Sequence, residues 1–353
     1  MSSTHPAIAT SSLTHLSLIH VATPIPVGPQ VLVRVHWTAS TPLDLHITDG
    51  GLLAEYPQIL GDGAAGTVVA VGPDVKRLKV GDRVFGFTFK SQESKAHQEF
   101  VLAEEWEWGV VPEGVAMRDA VTLPNNFVTV FHAGTTDLGF GMPWPRPNAY
   151  VPNDADALVL IWGGASSVGQ YALQILRYYG YTNIAVTASE KHHEKLRGYG
   201  AKWTVDYRNS GAVDAVRKIE EKEGKKVRFV LDCIGSLEGS VKPIAQIAKR
   251  GARVAVLLPV IVRDVSETEG PVYGMDVQGC AEWAEGVEVR GVRTHFYQNP
   301  DIMPTMLREG VVEPNKTRVI EADTMLERAR KAMGALRGKE ASGERLVWRI
   351  AEE

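Results

Sequence analysis

Leu158-Val-Leu-Ile-Trp-Gly-Gly-Ala-Ser-Ser-Val-Gly169 is the stretch on which the reading of this chain turns. Five apolar residues, enough for one buried strand, stop at Gly163-Gly164, and a helical pattern takes over. Across Gln170–Gly180 the apolar positions Ala172, Ile175, Leu176 and Tyr179 share one helical face, and Gly180 is a terminating glycine. A strand, a glycine turn and a helix N-terminus together offer backbone N–H groups and the positive end of a helix dipole, which suits an anion such as a pyrophosphate. Residues Gly164, Ala165, Ser166, Ser167, Val168 and Gly169 keep the spacing of the dinucleotide fingerprint G-x-G-x-x-G, with serine at the middle glycine.

The chain beyond Gly180 supports a dinucleotide fold. Strands are expected over Asn183–Ser189, Trp203–Tyr207, Val227–Gly235 and Ala252–Pro259, with helices over Glu190–Tyr199, Ala212–Glu223 and Val241–Lys249 between them. Strands alternating with helices of this length imply βαβ crossovers, so the expected fold is α/β, a doubly wound parallel sheet covered on both faces. Ligand chemistry then belongs at the carboxyl ends of the strands, where Ser189, Lys191, Tyr207, Ile234 and Leu257 join the fingerprint as cofactor-binding candidates.

The end of the second strand selects the dinucleotide. NAD sites usually place Asp or Glu there for the ribose 2′-hydroxyl. Here Ser189 offers a hydrogen-bond donor and Lys191 a cation, a combination suited to a 2′-phosphate, so NADPH is expected over NADH. Glu190 is the competing acid, but it equally suits the first turn of the next helix. Tyr207 and Arg208 are placed to cover the adenine and add charge; the plainer alternative for Lys191 and Arg208 is solvated surface charge.

The flanking sequence is different in character. Val31–Val111 is rich in Val, Gly and Pro, with short strands expected over Gln30–Trp37, Gly66–Gly72, Asp82–Thr88 and His97–Leu102. Ala120–Gly139 reads as helical apart from Pro124, and residues 140–153 are too rich in proline for regular structure. After Thr294 a helix-strand-helix tail ends in a strand at Ser342–Ile350. The expected division is one domain from residues 1–128 and 296–353, and a second from 129–295.

In this order the segments resemble the medium-chain dehydrogenase/reductases. The resemblance rests on Pro57-Gln-Ile-Leu-Gly-Asp-Gly-Ala-Ala-Gly-Thr-Val-Val-Ala-Val-Gly72, Val80-Gly-Asp-Arg-Val84, Ala120-Val-Thr-Leu-Pro124 with Thr129, the glycine fingerprint and Gly343-Glu-Arg-Leu-Val347. It covers nearly the whole chain and implies a Rossmann domain paired with a GroES-like β-barrel catalytic domain. Asp206-Tyr-Arg208, Leu231-Asp-Cys-Ile234, Ser342-Gly-Glu-Arg345 and the proline-rich insert look like the fungal trans-acting enoyl reductases of polyketide pathways. That likeness implies a polyketide synthase carrier protein as partner.

Zinc enzymes of this family need a cysteine and a Gly-His-Glu triplet. The equivalent triplet here is Gly61-Asp62-Gly63, and Trp37–Asp44 holds no cysteine. With only Cys233 and Cys280 a four-cysteine lobe is impossible; Cys233 reads as a small residue of a buried strand. The protein is therefore expected to work without metal. Lacking a Lewis acid, hydride goes most easily to an acceptor that is already conjugated, an enone, enoyl thioester or quinone, whose negative charge delocalises onto oxygen.

The family segment Asn-Pro-x-Asp appears as Thr41-Pro-Leu-Asp44, and the resemblance places Thr41, Asp44 and Thr129 near the nicotinamide. His46 stands where the fungal enzymes often carry lysine, able to donate a proton or contact a cofactor phosphate; the plainer alternative is a half-exposed histidine on a turn. The tyrosine that protonates product in other enoyl reductases of the family has no counterpart at Gly50-Gly-Leu-Leu53, and Tyr56 is the only nearby phenol.

Composition adds exclusions. A net charge of −4 gives no basic footprint for nucleic acid. No apolar run reaches the length of a membrane span, and the first residues lack a signal-peptide pattern. Two cysteines and no targeting segment imply a reducing, cytoplasmic setting. The leading expectation is an NADPH-dependent reductase of activated double bonds. The alternatives are a quinone reductase and an NADPH-binding partner protein that has lost catalysis. Val287–Val292 is the expected edge strand, fit either for a dimer or for a charged edge that resists pairing; a monomer is slightly favoured.

Overall fold

A computed structural model describes residues 3–208, 211–265, 269–294 and 299–352. The chain divides into two compact units, Met1–Asn125 with Gln298–Glu353, and Asn126–Tyr297. The expected boundary at 295/296 lies outside the described residues.

In the second unit six parallel strands form one sheet, in the order Trp203–Val205, Ile184–Thr187, Leu158–Trp162, Val227–Asp232, Arg253–Leu257, Glu288–Val292. Chain order runs outward from Leu158–Trp162 in both directions, so the switch point of a doubly wound fold lies beside the fingerprint turn. Leu158–Trp162 is buried at every residue, which its unbroken apolar run requires of a central strand covered on both faces. Leu158, Leu160 and Trp162 pack with Val230, Val254, Val256 and Ile244. Helix Ser167–Tyr179 buries Ala172, Ile175, Leu176 and Tyr179, the four positions its periodicity marks.

Some elements differ from expectation. The fifth strand stops at Leu257, and Val260–Arg263 turns back to pair with Val272–Gly274 in a separate ribbon. The helix expected over Val241–Lys249 begins as a π turn at Leu237–Val241 and continues as Lys242–Ile247. Val227–Asp232 ends one residue before Cys233, which is half-buried past the strand end rather than inside it. Burial still pushes its thiol well above the usual range.

The first unit is built on a seven-stranded sheet. Lys316–Val319, Glu344–Arg349, Gln30–Ala39, Gly63–Val71, Arg83–Phe87 and Trp108–Val110 follow one another, and Phe100–Glu104 also pairs with Gln30–Ala39. Val31, Val33 and Val35 face one side of their strand and share a core with Leu60, Val84, Val101, Trp108 and Trp348. A second sheet joins the hairpin Thr4–Ser12 and His15–Ala22 to Gln58–Ile59. The first unit is thus the GroES-like β fold, and the second is the Rossmann sheet. Among the described residues no helix is long and apolar enough to cross a membrane.

Candidate active site

At the carboxyl end of Leu158–Trp162 the turn is tied to its neighbour strand, with Gly164 N–H donating to the Thr187 carbonyl (2.8 Å) and Gly163 N–H to Thr187 Oγ1 (3.0 Å). Ser166 is the N-cap of helix Ser167–Tyr179, its Oγ accepting from Gly169 N–H at 3.0 Å. Gly169 admits no side chain: a Cβ there meets the Gly163 carbonyl oxygen at 2.5 Å and Gly164 Cα at 2.7 Å. The helix therefore starts directly on the turn. A thirteen-residue helix beginning at the strand end gives the dipole and amide cluster that a dinucleotide pyrophosphate requires, so these residues fit such a cofactor.

The remaining cofactor candidates follow the same edge. Ser189 is half-buried just past Ile184–Thr187, and Lys191 is exposed, its ammonium without hydrogen bond or ion pair among the described residues. Arg208 is held at Asp206 by contacts of 3.1 and 2.7 Å, which keep that carboxyl far below its usual range, so the charge of Arg208 is already answered within its own turn. Tyr207 beside it is exposed. Ile234 is exposed past Val227–Asp232, and Leu257 is half-buried at the end of the neighbouring strand. Asp232 braces this rim: it accepts from Ser240 Oγ (2.7 Å), Ile234 N–H (2.9 Å) and Gly235 N–H (3.1 Å), while burial pushes it up to about 6.

In the first unit Thr41 precedes helix Pro42–Gly50, and Asp44 closes its first turn. Asp44 is buried, with Oδ2 accepting from Thr41 N–H (2.8 Å) and Oδ1 from Gly61 N–H (2.9 Å). Both oxygens are thus committed to backbone, and Asp44 acts as a clamp between two loops. His46 is half-buried on this helix, not on a turn. Tyr56 is exposed. Thr129 lies in the other unit, on helix Pro124–His132, 3.1 Å from Thr294 between hydroxyl oxygens.

Sequence reasoning missed the neighbour of this clamp. Asp62, which in sequence registers only as a lost histidine, is a buried carboxylate at the start of Gly63–Val71. Its Oδ2 accepts from Asn125 Nδ2 at 2.8 Å, and its Oδ1 has no hydrogen-bond partner. Burial, reinforced by the charge of Asp44, pushes it up to about 6. Lys95 adds a half-buried ammonium that makes no hydrogen bond or ion pair among the described residues; burial lowers it, and the two carboxylates partly restore it. His97 is fully buried against Trp348 with both ring nitrogens unpartnered, and burial depresses it to about 3, so the ring is neutral. The signal available in sequence was an aspartate set between glycines where metal enzymes carry histidine. An aspartate held by an amide, with no thiol beside it, is a poor zinc donor set. No three His, Cys, Asp or Glu side chains converge to hold a metal among the described residues.

Comparisons with known proteins agree with this architecture. The family model for the alcohol dehydrogenase GroES-like domain matches residues 28–132, and that for the zinc-binding dehydrogenases matches residues 167–258. The dehydrogenase mokE of Monascus pilosus is 34% identical over 239 residues, 65% of this chain and 63% of that protein. The lovastatin nonaketide synthase enoyl reductase component lovC of Aspergillus terreus is 28% identical over 347 residues, 93% of this chain and 92% of the relative. The trans-enoyl reductase tazE of Aspergillus terreus (strain NIH 2624 / FGSC A1156) is 32% identical over 238 residues, 65% of this chain and 75% of the relative. Among solved structures, the quinone oxidoreductase from Coxiella burnetii superposes with a TM-score of 0.73 at 20% identity, covering 99% of this chain and all of that one, a likeness of fold alone. With its β-barrel unit, its doubly wound sheet and these relatives, the chain belongs to the medium-chain dehydrogenase/reductase family.

Proposed function

We propose that this chain is an NADPH-dependent oxidoreductase that reduces a conjugated carbon–carbon double bond, an enone or an enoyl thioester, without a metal. The observation that carries the reading is the Asp62–Asn125 pair standing in place of a zinc-ligating histidine. Without a Lewis acid to polarise an isolated carbonyl, hydride needs an acceptor whose charge spreads by conjugation. The enoyl reductase relatives favour the same substrate class.

Bound NADPH would supply the hydride. The turn Gly164–Gly169 would hold its pyrophosphate against the helix N-terminus, Ser189 and Lys191 would receive the 2′-phosphate, and Ile234 and Leu257 would line the rim with apolar surface. Thr41 would orient the acceptor, its position fixed by Asp44. His46, Thr129 and Tyr207 are proposed contacts of cofactor or substrate. A carrier-bound substrate, in keeping with the synthase component among the relatives, and a cytoplasmic setting, in keeping with the two cysteines, complete the proposal.

The test is NADPH oxidation with a panel of enones, enoyl thioesters and quinones. Turnover of enoyl thioesters with NADPH at least tenfold preferred over NADH is the expected result. Tight NADPH binding with no turnover of any acceptor overturns the enzyme reading, and exclusive quinone turnover reassigns the substrate. A carrier-bound substrate reduced no faster than its short thioester mimic removes the carrier protein.

A further inference from the structure

Past the end of Ile184–Thr187, Ser189 opens a 3₁₀ turn, Glu190–His192, that runs straight into helix His193–Tyr199. His192 N–H donates to the Ser189 carbonyl at 2.9 Å, and residues so related in a 3₁₀ turn have eclipsed side chains. Lys195 follows on the same face, one helical turn later. Its ammonium donates to Gln170 Oε1 at 3.0 Å, and Gln170 Nε2 donates to the Ala165 carbonyl at 2.9 Å. Ser189, His192 and Lys195 therefore share the side turned toward the glycine turn and helix Ser167–Tyr179. Lys191 leaves this face and is exposed, whereas His192 is half-buried.

The surroundings of His192 are cationic. Burial lowers its proton affinity, and Lys191, Lys195 and His193 lower it further, so the ring is mostly neutral at pH 7. His193 is held aside, its Nε2 donating to the Ala188 carbonyl at 2.9 Å. Glu190 and Glu194 are exposed carboxylates of the same segment. Of the elements packed against this helix, Ser167–Tyr179 brings Arg177, which donates to the Gly198 carbonyl (2.9 Å) at the far end. Trp203–Val205 leads to Asp206 and Arg208, which answer each other. A dianion placed on the His192 face would reverse this balance and draw a proton onto the ring.

We propose that His192 determines the choice of cofactor: its ring joins Ser189 and Lys191 on the 2′-phosphate and takes up a proton as the phosphate binds. This rests on the NADPH reading and adds to it a dependence on pH. The proton passes from solvent to a ring nitrogen, whose N–H then donates to a phosphate oxygen; no bond of the cofactor changes. Lys195 stands behind the ring, with two further N–H donors beyond the one given to Gln170. NADH carries a neutral hydroxyl at that position and gains nothing from protonation. The preference for NADPH therefore falls as pH rises and the ring becomes harder to charge.

The test is calorimetric titration of the full chain with NADPH, NADH and the fragments 2′,5′-ADP and 5′-AMP, from pH 7 to 9, above the second ionisation of a phosphate monoester at about 6. The wild-type preference for NADPH should fall by about fivefold across that window, and 2′,5′-ADP should bind with net proton uptake, read from buffers of different ionisation heat. His192→Gln is expected to weaken NADPH and 2′,5′-ADP by about tenfold at pH 7, to leave NADH and 5′-AMP within about twofold, and to abolish the proton uptake. His192→Lys supplies a cation that does not titrate there, so the preference should persist and stay level with pH. A wild type that prefers NADPH equally at pH 7 and 9, or a His192→Gln protein that binds 2′,5′-ADP as well as the wild type, overturns the role of His192 and leaves the NADPH reading standing. A wild type that binds NADH as tightly as NADPH at pH 7 defeats that reading, and the role of His192 with it.

Discussion

Replacing Gly169 with alanine tests the cofactor turn at its tightest point. The new methyl falls 2.5 Å from the Gly163 carbonyl oxygen and 2.7 Å from Gly164 Cα. Both are backbone atoms, so no rotamer change relieves the overlap and the helix start must move off the turn. Overpacking of this kind costs about 1–3 kcal/mol. The same displacement draws the first-turn amides away from the proposed pyrophosphate position, and each 1.4 kcal/mol lost there is about tenfold in cofactor affinity. Gly198 is the matched control: it lies in helix His193–Tyr199, and a Cβ added to it meets nothing within 4 Å. Gly198→Ala should therefore stabilise by about 0.5–1 kcal/mol through helix propensity. Urea unfolding and fluorescence titration with NADPH read both variants. A Gly169→Ala protein with the wild-type urea midpoint and NADPH affinity within twofold refutes the close-approach argument.

Asp44→Ala strips two buried backbone N–H groups of their acceptor and should lower stability by about 2–6 kcal/mol in urea unfolding, with Asp44→Asn recovering part of it. The double variant Ser189→Ala, Lys191→Ala should weaken NADPH binding by about fivefold to tenfold and leave NADH unchanged, measured by calorimetric titration of both. The folded value of Asp62, about 6, lies above the ordinary 3.8. The stability it contributes is thus full below about pH 4 and lost as pH rises through 6, at about 1.4 kcal/mol for each pH unit between the two values. Unfolding free energies from pH 4 to 8 should show the wild type losing about 3 kcal/mol relative to Asp62→Asn over that window; parallel curves would contradict it.

The Rossmann half is legible in the sequence because its signals are local. The apolar run at Leu158–Trp162, the glycine turn and the helix face at Ala172, Ile175, Leu176 and Tyr179 each sit within one turn, strand or helix. Thr4–Ser12 carries no such signal: its short polar and small residues become buried only by pairing with His15–Ala22 and Gln58–Ile59. Asp62 shows the same limit at the site. The residue reads as an absence until the chain brings in Asn125, 63 positions on, together with Lys95 and His97. Arg208 offers a charge in the sequence that Asp206, two residues before it, neutralises in the fold.

The strand Glu344–Arg349 is inserted between Lys316–Val319 and Gln30–Ala39, its Val347 opposite Ala39. Leu346 accepts from Ser40 N–H (3.0 Å), and Trp348 Nε1 donates to Ser40 Oγ (2.9 Å), one residue before Thr41. During synthesis the contiguous dinucleotide unit is complete while the β unit still lacks an inner strand, so the two halves mature in the reverse of their order along the chain. A protease that trims this strand would leave the six-stranded parallel sheet whole but remove the footing of the loop that carries Thr41.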